Sequence, residues 1–206
     1  MDSQTDAELI RGLLAREESA YRQAVRAYHA GMIRFARSMV GDADAEEVVQ
    51  ETWVAVLKGL SEFAGRSSLK TWIYGILGNQ AKTRLRRESR TPAVANSTPA
   101  DGGGQFVPAE RFDDSGHWTD PPVPWHEDSP EALLSSEDLR RCLERMLARM
   151  SPAQRQVLTL RDAEGMGMDE ICNILGISGT NGRVLLHRAR NLLRGGVERH
   201  ERGQPC

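Results

Sequence analysis

The segment 91–130 carries no regular apolar pattern, and it separates two stretches that do. It contains seven prolines, the run Gly102-Gly103-Gly104, and seven acidic residues against the single base Arg111. Proline lacks a backbone donor and ends helices, so no regular element is expected to continue through this segment. We predict a flexible acidic linker over 91–130 that joins two folded domains, at 5–90 and 131–196.

Both flanking stretches have the apolar spacing of α-helices. In the first, apolar residues recur every three or four positions, which predicts one buried helical face: Tyr21, Val25, Tyr28, Met32, Ala36 and Met39. Gly41-Asp42 predicts a break, and a second helix is expected from about Asp44. Its apolar stripe comprises Val48, Val49, Thr52, Trp53, Val56, Leu57 and Leu60. A third helix is expected from about Leu69 to Arg87.

The second stretch is also predicted to be helical, which makes the whole chain an all-α protein of two small domains. Ser151-Pro152-Ala153-Gln154 combines a Ser cap, a Pro at the first helical position and a Gln that can complete a capping box. Further along, two helices are predicted on either side of a tight turn at Gly176.

The turn at Gly176 predicts a helix-turn-helix. Cys172 provides a small residue where the two helices touch, and Gly176 provides the turn. The second helix offers Thr180, Asn181, Arg183, His187 and Arg188. Arg and Asn are side chains that bond base edges, so DNA binding is the favoured interpretation. The alternative is a helical hairpin with a solvated basic face.

A second basic cluster closes the first domain, although the formal net charge of the chain is only −2. It consists of Lys70, Lys82, Arg84, Arg86, Arg87 and Arg90, with Trp72 and Tyr74 nearby. Basic residues interleaved with aromatics can hold phosphates and stack an unstacked base. The competing interpretation is a core Trp72 beside a solvated helix end. Acidic residues between 42 and 51 suggest a protein partner on another face.

Several classes of protein are disfavoured. No apolar run is long enough for a transmembrane helix, and Met1 is followed by acids rather than by a signal peptide, so we expect a cytoplasmic protein without membrane insertion. The cysteines form no CxxC pair, and none lies near His117 and His126, so no metal or cofactor is expected. The histidines are scattered, which disfavours a nucleic-acid-processing enzyme and any catalytic residues.

Three motifs in order resemble bacterial sigma factors of the extracytoplasmic-function (ECF) group, in the sigma-70 family. The first is Asp44 to Trp53, with the sequence DAEEVVQETW. The second is Phe63 to Tyr74, FAGRSSLKTWIY, followed by Asn79. The third comprises Ser151 to Arg161 and the segment Leu186 to Arg190. The resemblance covers about 150 of the 206 residues.

This resemblance implies a function and a set of site residues. The protein would bind core RNA polymerase and direct promoter-specific initiation, with a cognate anti-sigma factor as a further partner. The polymerase-binding residues would be Val49, Gln50, Glu51 and Trp53. Residues at the minus-10 element would be Phe63, Arg66, Ser67, Ser68 and Asn79, and those at the minus-35 element would be Arg183, His187 and Arg188. The basic and aromatic cluster adds Lys70, Trp72, Lys82 and Arg86 as DNA-binding residues, and the helix-turn-helix pattern adds Thr180 and Asn181.

Two positions depart from the family pattern, and one alternative function stays open. Gly182 stands where the recognition helix usually has an apolar residue, and Leu185 stands where many relatives have Arg. Glycine costs about 1 kcal/mol inside a helix. The alternative function is a helix-turn-helix transcription regulator whose N-terminal domain senses a signal or dimerises, with no need of polymerase.

Overall fold

The computed structural model describes residues 3–88 and 137–205. These residues form helices and the turns between them, and no strand occurs in either range. The predicted all-α fold is therefore confirmed. The linker predicted at 91–130 lies outside the described residues.

The N-terminal range contains four α-helices and one short turn of 3-10 helix. They are α1 (Ser3–Leu14), α2 (Glu18–Val40), α3 (Asp42–Gly59), the 3-10 turn Leu60–Glu62 and α4 (Leu69–Glu88). Gly41, which adopts a φ of 84°, separates α2 from α3 as expected. The third predicted helix corresponds to α4 within one residue at its end.

The C-terminal range contains four α-helices and one π-helical turn. They are α5 (Glu137–Arg149), α6 (Pro152–Leu158), the π-helical turn Thr159–Ala163, α7 (Met168–Leu175) and α8 (Gly179–Glu201). The predicted capping box at the start of α6 is present. Ser151 N donates to Gln154 Oε1 over 2.9 Å, and Gln154 N donates to Ser151 Oγ over 3.3 Å.

The described residues form two compact units. The first combines residues 3–88 with Thr159–Gly182, and the second combines residues 137–158 with 183–205. The π-helical turn and α7 therefore pack in the first unit, together with helices that precede them by many residues. The order of the sequence motifs did not indicate this grouping.

The core of the first unit lies between α2, α3 and α4. Its largest fully buried side chains include Met32 and Phe35 from α2, Val48 from α3, and Tyr74 and Leu77 from α4. The rings of Phe35 and Tyr74 lie 5.8 Å apart. Burying a side chain of this size stabilises a fold by about 1.5–3 kcal/mol, so these contacts hold the three helices together.

Two residues of the predicted apolar stripes are not in this core. Val25 is 45% exposed on α2, and Leu57 is 46% exposed on α3. The expectation that both are buried was wrong. An apolar periodicity of three to four residues marks a broad stripe, and only the packing partners decide which residues at its margins are covered.

The second unit has its own apolar core, built from α5, the end of α6 and most of α8. Its buried residues are Leu139, Cys142, Met146, Met150, Val157, Leu158, Leu186, Ala189 and Leu192. They recur at helical spacing along α5 and α8, as expected for helices that each bury one face.

The predicted tight turn between two helices is present, and its packing explains Gly182. Gly176 ends α7 in the left-handed conformation, with φ 74° and ψ 40°. A Cβ atom at Gly182 would lie 2.9 Å from Met168 Sδ and 3.2 Å from Cys172 Sγ. The start of α8 thus approaches α7 so closely that a larger residue at position 182 would require the Met168 and Cys172 side chains to shift. Glycine at this unusual position avoids that displacement.

We expect Gly182→Ala to destabilise the protein, although alanine is the better helix former. Overpacking typically costs about 1–3 kcal/mol, against a gain in helix propensity of about 1 kcal/mol. Gly195→Ala in the same helix is the control, because its Cβ would meet only Arg199 Nη1, at 3.5 Å. It should be neutral or stabilising in urea unfolding followed by circular dichroism. Equal stabilisation by both variants would contradict this account of Gly182.

Candidate nucleic-acid interface

The turn before α4 presents several of the predicted DNA-binding residues at the surface. Gly65, with a φ of 65°, allows the chain to reverse, and Arg66 and Ser67 are exposed beside it. Ser68 caps α4, since its Oγ accepts a hydrogen bond from Thr71 N over 3.1 Å. Ser68 therefore has a structural role that the motif alone did not reveal.

Phe63 and Trp72 lie together at this turn. Their ring centroids are 5.0 Å apart, and both side chains are half-buried. An aromatic pair that is partly exposed leaves a ring face on which a base can stack. The sequence left two interpretations of Trp72 open, a core residue or a surface for base stacking. Trp72 packs against Phe63 and is also partly exposed, so neither interpretation describes it fully.

The predicted DNA-binding residues of α4 differ in exposure. Asn79 and Arg86 are exposed, whereas Lys70 and Lys82 are half-buried. Lys82 Nζ donates to the carbonyl oxygen of Ile174 in α7 over 2.9 Å. Lys70 Nζ lies 3.1 Å from the Glu164 carboxylate and also donates to the Glu164 carbonyl oxygen.

Glu164 is the centre of a polar cluster inside the first unit. Its side chain is only 6% exposed. Tyr74 Oη donates to its carboxylate over 2.8 Å, and Arg34 Nη2 donates over 2.6 Å. The π-helical turn before Glu164 and the left-handed Gly165 after it, with φ 69°, end the helix and direct this carboxylate toward α2 and α4.

The cluster keeps Glu164 ionised. Burial alone raises the pKa of its carboxyl, but the hydrogen bonds from Tyr74, Arg34 and Lys70 outweigh burial, so its pKa lies below the ordinary value. Burial and the bond to Glu164 raise the pKa of Tyr74, which stays protonated as a donor. Because the folded-state pKa of Glu164 is depressed, its contribution to stability is present at neutral pH and is lost in acid.

The predicted polymerase-binding residues of α3 differ in accessibility. Gln50 and Glu51 are exposed, and Trp53 is half-buried with its Nε1 donating to His29 Nδ1 over 3.3 Å. Val49 is fully buried. The assignment of Val49 as a contact residue is therefore corrected: its side chain belongs to the core between the helices.

Two further residues of α3 were missed as candidates for partner binding. Val54 and Leu57 are 51% and 46% exposed. With Gln50 and Trp53 they follow the spacing i, i+3, i+4, i+7, so all four share one face of the helix. The sequence alone shows this spacing, but it does not show that the Val54 and Leu57 side chains are exposed. We call Gln50, Trp53, Val54 and Leu57 the α3 face.

Arg84 has a different role from the other bases of its cluster. Its guanidinium pairs with Asp44 and lies 2.8 Å from a carboxylate oxygen of Glu47. These pairs join the end of α4 to the first turns of α3. The acidic run at the start of α3 is thus partly neutralised within the protein.

The predicted recognition helix is α8. Thr180, Asn181, Arg183 and His187 are exposed, and Arg188 is half-buried. Ser178 Oγ accepts a hydrogen bond from Asn181 N over 3.3 Å, which caps the helix. His187 and Asn191 side chains bond to each other over 3.0 Å. The helix therefore presents polar and basic side chains along its first turns.

Within residues 3–88 and 137–205, no group of His, Cys, Asp and Glu side chains is arranged to hold a metal ion. None of the helices described is both long and apolar enough to cross a membrane.

Two regions of the chain match known protein families. Residues 24–91 match Sigma-70 region 2, and residues 140–193 match Sigma-70 region 4. A probable RNA polymerase sigma factor of Haemophilus influenzae is 29% identical over 77% of this chain and 80% of its own length. The ECF RNA polymerase sigma-E factor of Escherichia coli K12 is 28% identical over 92% of each chain.

Solved structures share the fold. One is the sigma factor RpoE in complex with the anti-sigma factor NepR from Bartonella quintana, with a TM-score of 0.54 and 22% identity over 86% of this chain and 96% of that one. Another is CnrH in complex with the cytosolic domain of CnrY, with a TM-score of 0.54 and 20% identity over 94% and 97%. The two matched regions and the similarity to the sigma-E factor over 92% of each chain show that the chain belongs to the ECF group of the sigma-70 family of RNA polymerase sigma factors.

Proposed function

We propose that this protein is a cytoplasmic sigma factor that binds core RNA polymerase and directs it to specific promoters, without catalytic activity of its own. The observation that carries the proposal is the presence of both sigma-70 regions in one chain, in the order of the family. The alternative, a regulator with an N-terminal sensor domain, is disfavoured because the N-terminal residues match region 2.

The α3 face is the proposed polymerase-binding surface, with Glu51 beside it. Half-exposed apolar side chains next to an exposed amide are typical of an interface that combines apolar contact with hydrogen bonding. Trp53, held in place by His29, supplies an aromatic anchor of the kind that dominates binding energies.

The proposed contacts with promoter DNA come from two places in the chain. At the minus-10 element, the Phe63–Trp72 pair would stack a base, Arg66 and Ser67 would bind nearby backbone, and Asn79, Lys82 and Arg86 would follow the strand. At the minus-35 element, α8 would enter the major groove with Thr180, Asn181, Arg183, His187 and Arg188.

An anti-sigma factor is a further proposed partner. Two structural neighbours are described as complexes of a sigma factor with an anti-sigma factor, NepR in one and CnrY in the other. The exposed apolar residues Val54 and Leu57 of the α3 face are suited to such a competitor, because they are uncovered in the chain alone.

The proposed function is tested by transcription with purified core polymerase on a genomic library. Addition of the protein should create new transcript start sites that are absent with core enzyme alone. Their upstream sequences should share two elements separated by a constant spacing. Mock-purified buffer is the control, and an unchanged set of start sites would overturn the proposal.

Leu57→Ser and Gln50→Ala should each weaken binding to core polymerase without unfolding the protein. A residue central to an interface contributes more than about 1.4 kcal/mol, which corresponds to about tenfold in affinity. Val25→Ser is the matched control, since Val25 is an equally exposed apolar residue on α2. Binding by biolayer interferometry that falls equally in Leu57→Ser and Val25→Ser would remove the α3 face from the interface.

Arg183 and Arg188 should contact different parts of the DNA, Arg183 a base edge and Arg188 a phosphate. Arg183 is exposed near the start of α8, the end that reaches base edges, so Arg183→Ala should lose about 1–3 kcal/mol of discrimination at one base pair. Arg188→Ala should weaken all promoters alike and reduce the salt dependence by about one charge. Binding to single-base minus-35 variants at several salt concentrations measures both effects. The reverse pattern would exchange the two roles.

A further inference from the structure

We propose that Val184 of helix α8 is a specificity-determining residue, which selects one base pair of the minus-35 element by apolar contact with the C5 methyl group of a thymine. This contact is different in kind from the hydrogen bonds to a base edge assigned above to Arg183. The inference rests on the proposed function, because it takes α8 as the helix that enters the major groove of promoter DNA.

Val184 projects away from the core of the second unit. Successive residues of an α-helix are rotated by about 100° around its axis, so the buried residues Leu186 and Ala189 project about 160° and about 140° away from Val184. Val184 is 40% exposed, although it is a large apolar residue in the interior of a long helix. Packing of the second unit therefore leaves this side chain available to a partner.

The side chains around Val184 are the ones assigned to DNA. Val184 directly follows the exposed Arg183, and it precedes the exposed His187 by three residues and Arg188 by four. Residues three and four apart are neighbours on a helix surface, so Val184 lies among these polar and basic side chains. The His187 ring is bonded to Asn191 over 3.0 Å, on the side of His187 that is away from Val184 along the chain.

The charge of α8 determines which kind of partner fits this residue. Between positions 179 and 194 the chain has four arginines and no acidic residue. An apolar protein groove would leave those cations without counter-charges. The major groove of DNA provides phosphates along its edges, and the methyl group of thymine on its floor. An isolated apolar residue within a basic face is therefore complementary to a thymine in the major groove.

The chemistry of valine limits what Val184 can recognise. Its side chain has no donor or acceptor, so it cannot bond the polar groups of a base edge. Its branched Cβ restricts the side-chain rotamer and presents two methyl groups in a fixed direction. Removing apolar surface of both groups from water favours the complex with thymine over the complexes with other bases. The methyl group lies on one strand only, so the contact also distinguishes T·A from A·T.

The first experiment compares the minus-35 sequences preferred by the wild type and by Val184→Ser, each assembled with core polymerase. Both are selected on promoter duplexes randomised over that element. The wild type should enrich thymine at one position, and Val184→Ser should lose that preference while it keeps the preferences at other positions. Substitution of an exposed residue changes stability little, and circular dichroism verifies that the variant is folded. An identical set of preferences in both proteins would overturn the proposal.

The second experiment changes only the methyl group. Deoxyuridine in place of the selected thymine keeps the base pairing and should lower the affinity of the wild-type holoenzyme about fourfold, as expected for one buried methyl group. In a C·G pair at that position, 5-methylcytosine should bind more tightly than cytosine by a similar factor. Both effects should disappear in Val184→Ser.

Val25→Ser is the matched control for these affinities, because Val25 is an exposed valine on α2, and it should keep both methyl effects. Methyl effects of equal size in Val184→Ser and in the wild type would assign the contact to another residue and overturn the proposal.

The selection separates failure of this inference from failure of the proposed function. A holoenzyme that prefers no sequence at the minus-35 element overturns both the role of Val184 and the proposed use of α8. A holoenzyme that prefers a minus-35 sequence but binds thymine and deoxyuridine equally overturns the role of Val184 alone, and the proposed function stands.

Discussion

The buried hydroxyl of Tyr74 links the apolar core of the first unit to residues 159–182. Its ring is fully buried against Phe35, and therefore takes part in the core between α2, α3 and α4. A phenol in such a position needs an acceptor, because leaving a buried donor unsatisfied costs about 1–3 kcal/mol. Glu164 provides that acceptor from a distant part of the sequence. Packing of the apolar core and placement of residues 159–182 are thereby coupled through one side chain.

Residues 159–182 also provide partners for two cations of α4. Lys70 bonds Glu164, and Lys82 bonds the Ile174 carbonyl oxygen. A basic residue at the end of a helix can pair with an internal carboxylate, a carbonyl oxygen or a phosphate, and the electrostatic attraction has the same origin in each case. In the sequence, the acidic start of α3 and the basic end of α4 suggest two separate binding faces. Arg84 pairs with Asp44 and Glu47, so these two segments partly neutralise each other within the chain.

Helix α3 buries some of its apolar residues and leaves others exposed on the α3 face, the proposed polymerase-binding surface. Val48, Val49 and Val56 are fully buried, whereas Val54 and Leu57 of the same helix are about half exposed. An apolar stripe wider than the core can cover leaves such residues at its margin. Exposed apolar side chains beside an exposed amide are typical of protein interfaces. The proposed polymerase-binding surface therefore requires no structural element beyond α3 itself.

Much of this protein was decided by local sequence. The helices, the break at Gly41, the capping box at Ser151 and the turn at Gly176 follow from short-range spacing and backbone preferences, and the ordered motifs indicated the family. Only tertiary structure decided which apolar residues are covered, which side chains a Cβ at position 182 would meet, and that Lys70 and Lys82 are engaged by residues 159–182. The physical reason is range: helix periodicity and capping act within four residues, whereas burial and ion pairing depend on neighbours brought together from remote positions.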